Sequence, residues 1–302
     1  MDSIITAIAG IYIFIFMGFI AKMSLKQQID DKTITLINIY FLQVFLTFWG
    51  LLLQPVNIDF LFAPLAYFVI ISVVLFFTIT TAKIFFKDKK ERSIATIAAI
   101  IGNTGNLGIP INIAIFGTAS IPYTTVVNLV NVIIVYTFGV YYYSRGSFTI
   151  KNSLINILKL PILWAVIAAV MLSVGGYRPS KVVEGTLMMG AYASMTMQLF
   201  LFGIYLYGTK IKEINKVLLS YVSAVKFIVL PFVAFIILYL LHLPNIVKDV
   251  IFIELMMPLA VANVNLSSLY ECSPKVVTVL VFVTSLLFLG TIFATIRIVH
   301  FL

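Results

Sequence analysis

Residues 100–116 read Ile-Ile-Gly-Asn-Thr-Gly-Asn-Leu-Gly-Ile-Pro-Ile-Asn-Ile-Ala-Ile-Phe. The run lies inside an apolar segment long enough to enter a membrane, yet three glycines, two asparagines and a proline crowd into residues 102–110. Glycine weakens a helix and proline removes a backbone donor, so this spacing predicts a broken helix rather than a continuous one. In hydrocarbon such a break is tolerated only inside protein or beside a water-filled cavity, because freed backbone groups need partners. A cavity at membrane depth is a place for a solute.

The rest of the chain agrees with a membrane setting. Of 302 residues, 62% are apolar and 10% are charged, with a mean hydropathy of +1.13. A soluble domain is about half apolar and a quarter charged. The lone Cys272 excludes a disulfide framework within the chain, and His242 and His300 are too few and too far apart for a histidine metal centre. No metal site and no cofactor are expected.

Ten apolar segments, each near the ~20 residues that cross a bilayer, run approximately over 3–21, 33–53, 61–82, 93–116, 122–142, 155–174, 185–207, 217–241, 246–266 and 276–298. The opening Met-Asp-Ser lacks the basic region of a secretory signal, so the first segment is expected to be retained. Fifteen Lys and Arg fall in the loops of one face, with clusters at Lys83 to Arg92 and Lys210 to Lys216, against four on the other. Basic residues concentrate in cytoplasmic loops, which predicts both termini on the extracytoplasmic side. The net charge of +9 is thus explained by topology and anionic lipid, and no nucleic-acid partner is expected. No loop is long enough to fold as a soluble domain.

The loop near 143–151 divides the ten segments into five and five. An odd number of crossings per half inverts the second half relative to the first, so the expectation is one all-α membrane domain of two inverted repeats, 1–144 and 152–302. A shift of 155 residues places Gln43 on Gln198 and Asn103 on Pro258, and lays the fourth segment over the ninth. The ninth carries the second interruption, Met256-Met257-Pro258-Leu259-Ala260-Val261-Ala262-Asn263-Val264-Asn265. Paired interruptions in two halves are the best sequence pointer to a transporter's binding site.

The run from Gly102 to Pro110 resembles the fourth-span signature of the auxin efflux carrier family, which includes bacterial carriers of dicarboxylates such as malonate and malate and the plant PIN proteins. The resemblance extends through Met257-Pro258 to Tyr270 and to Thr284-Ser285, and covers the chain. It implies the fold of bile-acid sodium symporters and sodium/proton antiporters, in which the broken fourth and ninth helices cross. Spans one, two, six and seven would form a scaffold, and spans three to five and eight to ten a transport unit that moves against it like an elevator. It also implies a bacterial inner-membrane protein, as a single copy or a homodimer. Plant members carry Asn-Pro-Asn where Gly102-Asn103-Thr104 stands here, so a small carboxylate such as malonate or malate is expected ahead of an auxin-like acid.

Two half-helix N-termini meeting at a crossover would present unpaired N–H groups and partial positive charge, an anion site that needs no basic side chain. The candidate substrate residues are Asn103, Thr104, Gly105, Asn106, Gly108, Pro110, Pro258 and Asn263, with Asn131 added by the resemblance and Gln43 and Gln198 facing the cavity from the scaffold. The same asparagines would also serve to cap half-helices, and the prolines to kink them. Asn128 and Asn131 share one face of the fifth segment. Lys226 and Glu254 are the charges deepest in the segments, each costing at least ~2.5 kcal/mol at bilayer centre unless partnered. Their depths match, so a pair is expected, either a static ion pair or one that exchanges a proton or substrate carboxylate.

A secondary transporter of an organic anion accounts for the inverted halves, the paired breaks and the short loops. A sodium- or proton-coupled carrier or antiporter of another solute is the alternative, with H+ or Na+ as coupling ion, and a channel stands behind it. An intramembrane enzyme lacks a buried nucleophile, metal set or aspartate pair. ATP-driven transport lacks a phosphate loop.

Overall fold

The computed structural model describes residues 2–52, 59–144, 161–207 and 215–299. The described residues form helices without a strand. In chain order these are α1 (Asp2–Leu25), α2 (Asp31–Leu52), α3 (Asp59–Phe85), α4 (Lys89–Ile97), α5 (Thr104–Phe116) and α6 (Thr118–Tyr143). They continue as α7 (Pro161–Val174), α8 (Lys181–Leu206), α9 (Lys216–Leu240), α10 (Asn245–Met256), α11 (Val261–Leu269) and α12 (Pro274–Val299). Six of them, α2, α3, α6, α8, α9 and α12, are long and apolar enough to cross a bilayer, and α5 and α7 are shorter apolar helices. The chain is therefore a multi-pass membrane protein. The central loop and the start of the segment expected at 155–174 lie outside the described residues.

Side chains at the loops fix several helix starts. Asp30 caps α2 by accepting from Lys32 N and from Thr33 Oγ1 at 2.6 Å, and the Thr33 bond holds its carboxyl below the ordinary carboxylate value. Asp88 accepts from the N–H groups of Lys90 and Glu91 at the start of α4, and Ser180 and Asn215 do the same for α8 and α9. Each such cap contributes about 1 kcal/mol.

Packing divides the helices into two groups. α8 packs most extensively on α1 and then on α2, and α2 also on α7. The α1 and α8 backbones approach closely through glycine: Gly18 faces the Phe200 carbonyl and Gly203 the Ile15 carbonyl, where any Cβ would collide. In the other group α3 packs on α4, α6, α9 and α10, while α12 packs on α10 and α11. Burial is deepest where helices stop: every residue of 93–104 and of 250–261 is buried. These stretches contain the two interruptions, so the freed backbone lies inside protein, as hydrocarbon requires.

The first interruption lies earlier than the sequence suggested. Helix α4 ends at Ile97 and α5 resumes at Thr104, so the break is 98–103, and Gly105, Gly108 and Pro110 sit within helix. Proline is accommodated because residues Thr104–Gly108 form a π-helical turn and Pro110 stands second in the regular α-helical part of α5, Ile109–Phe116, that follows it. The second break is 257–260, and Asn263 and Asn265 belong to α11.

Candidate functional site

The two breaks meet. Asn103 N donates to Pro258 O at 2.8 Å and Ala260 N to Ile101 O at 2.9 Å, with Gly102 opposite Leu259 as an isolated antiparallel bridge. Each interruption thus supplies the backbone partners that the other lost. Side chains complete the set. Asn131 Nδ2 donates to Gly102 O at 2.8 Å and to Thr104 Oγ1 at 3.0 Å, while its Oδ1 accepts from Tyr67. Asn263 Nδ2 donates to Ile101 O and Ala260 O, and its Oδ1 accepts from Tyr143 at 2.8 Å. Thr284 Oγ1 accepts from Leu259 N. Asn263 therefore serves the crossover itself and lines neither cavity described below.

Two helices start at this junction, α5 after Asn103 and α11 after Ala260, and neither start is capped by a side chain. Two further starts without side-chain caps, at Gly117 and Pro244, are exposed. At the junction the first-turn N–H groups instead border a cavity of about 50 Å³ lined by 102–106, Asn128, Asn131, Ala260 and Ala262, room for a few waters or one carboxylate. Uncapped helix starts carry partial positive charge and unmet donors, a fit for an anion.

From this floor the space widens. Gln43, Val135, Tyr136, Gln198 and Ala262 are shared with a second cavity of about 330 Å³. Lys32, Thr35, Tyr205 and Tyr270 line it farther along. On α2, Lys32 is about 16 Å from Gln43 at 1.5 Å per residue. Within two turns beyond Gln43 lies an apolar cluster of Leu46, Trp49, Ile109, Ala191 and Met195, drawn from α2, α5 and α8, of which Leu46 also lines the small cavity. At one end of the lining Lys32 is exposed, while Trp49 in the apolar cluster is buried.

Of the residues expected at the site, Asn103, Thr104, Gly105, Asn106, Asn131, Gln43 and Gln198 line the small cavity. Asn106 Nδ2 reaches Gln198 Oε1 at 2.5 Å. Gly108, Pro110 and Pro258 line neither cavity. Asn128, Tyr136 and Tyr40 belong to the lining as well. A further signal was invisible to sequence: the described π-helical turns, Asn38–Leu42, Thr104–Gly108, Val135–Gly139 and Val225–Val229, either border the cavities or carry Lys226. Such turns re-aim side chains and concentrate at functional sites.

Lys226 and Glu254 are both fully buried, yet they form no ion pair within 4 Å. Lys226 Nζ stands 3.2 Å from where a Cβ of Gly102 would be, a point also within 3.8 Å of the Met257 and Glu254 carbonyl oxygens. The Glu254 carboxylate turns the other way, accepting from Thr124 Oγ1 and, at 3.0 Å, from Asn112 Nδ2, and it packs on Gly108 so closely that a Cβ there would collide with it. Equal depth along two helices fixed neither side chain's direction.

A helical membrane protein whose two broken helices pair at a buried polar cavity has the architecture of a solute carrier. The membrane transport protein family model, that of the auxin efflux carriers, matches residues 3–152 and 145–296, and the chain belongs to this family. It is also similar to an uncharacterized transporter of Methanocaldococcus jannaschii, 25% identical over 286 residues that cover 91% of this chain and 92% of the relative.

Proposed function

We propose that this membrane transporter carries a small organic anion, a carboxylate of the malonate or malate class, by alternating access. The observation that carries the assignment is the pair of helix starts, α5 and α11, left without side-chain caps around the inner cavity. One carboxylate docks there on backbone N–H groups, flanked by Asn103, Asn106, Asn128 and Asn131. Gln43 and Gln198 close over it from the opposite helix group. The body of the solute extends into the larger cavity.

The packing groups support the allocation of α1, α2, α7 and α8 to a scaffold and of the remaining helices to a transport unit, each of the two inverted five-span repeats contributing to both. With basic loops cytoplasmic, Lys32 marks the inner face of the plasma membrane, both termini lie outside, and the conformation is inward-open. Movement of α5 and α11 past the apolar seal at Trp49 would expose the same cavity outward. Proteoliposome uptake of radiolabelled malonate, malate and indole acetate tests the assignment. Saturable malonate or malate uptake is expected. Failure of every carboxylate alongside transport of a cationic or neutral solute would overturn it.

A further inference from the structure

Behind α5, away from both cavities, lies a polar cluster that anion binding does not use. Glu254, Asn112 and Thr124 are all fully buried, and none of them lines either cavity. Glu254 Oε1 accepts two hydrogen bonds, from Thr124 Oγ1 and from Asn112 Nδ2. Its second oxygen, Oε2, has no partner among the described residues, nor has Asn112 Oδ1. Buried polar atoms without partners are rare and each calls for an explanation. Here one explanation serves both atoms.

A carboxylic acid and a primary amide can close a ring of two hydrogen bonds, amide N–H to carboxyl C=O and carboxyl O–H to amide C=O. The first half exists as Asn112 Nδ2 to Glu254 Oε1 at 3.0 Å. The second half needs a hydrogen on Oε2, and only protonated Glu254 has one. An ionised Glu254 would instead leave a charged oxygen buried with no donor, a heavy desolvation cost.

The surrounding charges do not supply an alternative partner. Lys226 of α9 is in electrostatic reach but its ammonium lies beside Gly102. Tyr67 of α3 directs its hydroxyl to Asn131 at 3.4 Å. Helices α5 and α6 carry no charged side chain, and the only charges of α12, Lys275 and Arg297, are near its ends.

We infer that Glu254 and Asn112 form a proton-binding site whose proton is exchanged during transport, coupling the anion carried at the crossover to the proton gradient. This rests on the transport function proposed above. The site is closed in this conformation, so the proton passes to water in another one. Coupling would run through α5, which carries Asn112 and Gly108 on this side and Thr104 to Asn106 at the anion cavity.

Two readouts test it on the full-length protein. Infrared difference spectra between wild type and Glu254→Gln at neutral pH should show a protonated-carboxyl C=O band in the wild type only. Should Glu254→Gln fail to assemble, Asn112→Ala should shift the same band by removing its amide partner. Absence of the band overturns the proton site whether or not malate is a substrate. In proteoliposomes with the membrane potential clamped at zero, one proton per solute gives about tenfold malate accumulation for one pH unit, acid outside. Wild type should approach that ratio while a pH dye trapped inside reports acidification. Glu254→Gln can still form an amide–amide ring, and should lose accumulation and acidification while malate exchange persists. Acid-driven accumulation in Glu254→Gln, or accumulation driven by sodium alone with no proton movement, would overturn the inference. Absence of any malate transport by the wild type would count against the carboxylate assignment and leave the infrared result to decide the proton site.

Discussion

Asn106 of α5 donates a 2.5 Å hydrogen bond to Gln198 of α8, joining the broken helix to the opposite helix group at the floor of the open cavity. A neutral amide pair here can open and rotate toward a carboxylate at little electrostatic cost. Gln198→Glu would put a negative charge in the anion cavity. Charges about 4 Å apart repel by up to roughly 4 kcal/mol at an effective dielectric of 20, so the malate KM should rise at least about tenfold. Gln198→Ala should raise it less. Equal effects of the two substitutions, read from the concentration dependence of uptake, would remove the anion from this position.

Asn131 holds the crossover from below through Gly102 O and Thr104 Oγ1. Asn131→Ala leaves a buried carbonyl without its donor, an expected cost of about 1–3 kcal/mol. Asn128→Ala should cost less, since Asn128 is half-buried and accepts one bond from Thr104. Thermal unfolding of the detergent-solubilised protein measures both.

Gly108 is a glycine because the Glu254 carboxylate occupies the space of a Cβ. Gly108→Ala should destabilise by about 1–3 kcal/mol through overpacking. Glu254→Asp withdraws the carboxyl by one methylene, so the double variant should be less destabilised than the two single effects added. Strict additivity in thermal unfolding would show that the two side chains do not meet.

Accessibility follows from the open and sealed ends. The native Cys272 is buried, so an introduced cysteine reports with little background. Thr35→Cys should react with a membrane-impermeant maleimide from the cytoplasmic face, and Ala191→Cys, in the apolar seal and lining neither cavity, should be protected. The reverse pattern would contradict the inward-open assignment.

Much of this was legible because backbone chemistry writes itself into composition. Glycine and asparagine around 102–106, and Pro258 with Asn263, announced breaks that must find partners, and the partners proved to be each other. The exact limits of the first break were not legible, since Pro110 reads as a helix breaker but is tolerated at the start of the regular helix Ile109–Phe116, behind a π-helical turn. Nor was the direction of Lys226 and Glu254. Helices apolar on every side give no stripe to tell which face points inward, so depth could be counted but rotation could not. Asn112 and Thr124 escaped notice for the same reason, although Asn112 stands four residues after Gly108 on one helix face. The π-helical turns leave no periodic trace.

The most direct test of the account is a structure determined with malate bound. Carboxylate density within hydrogen-bonding distance of the N–H groups of residues 104–106 and of Ala262, between the starts of α5 and α11, is the result expected. Malate bound elsewhere, or an inner cavity that stays filled by water alone at saturating malate, would contradict it.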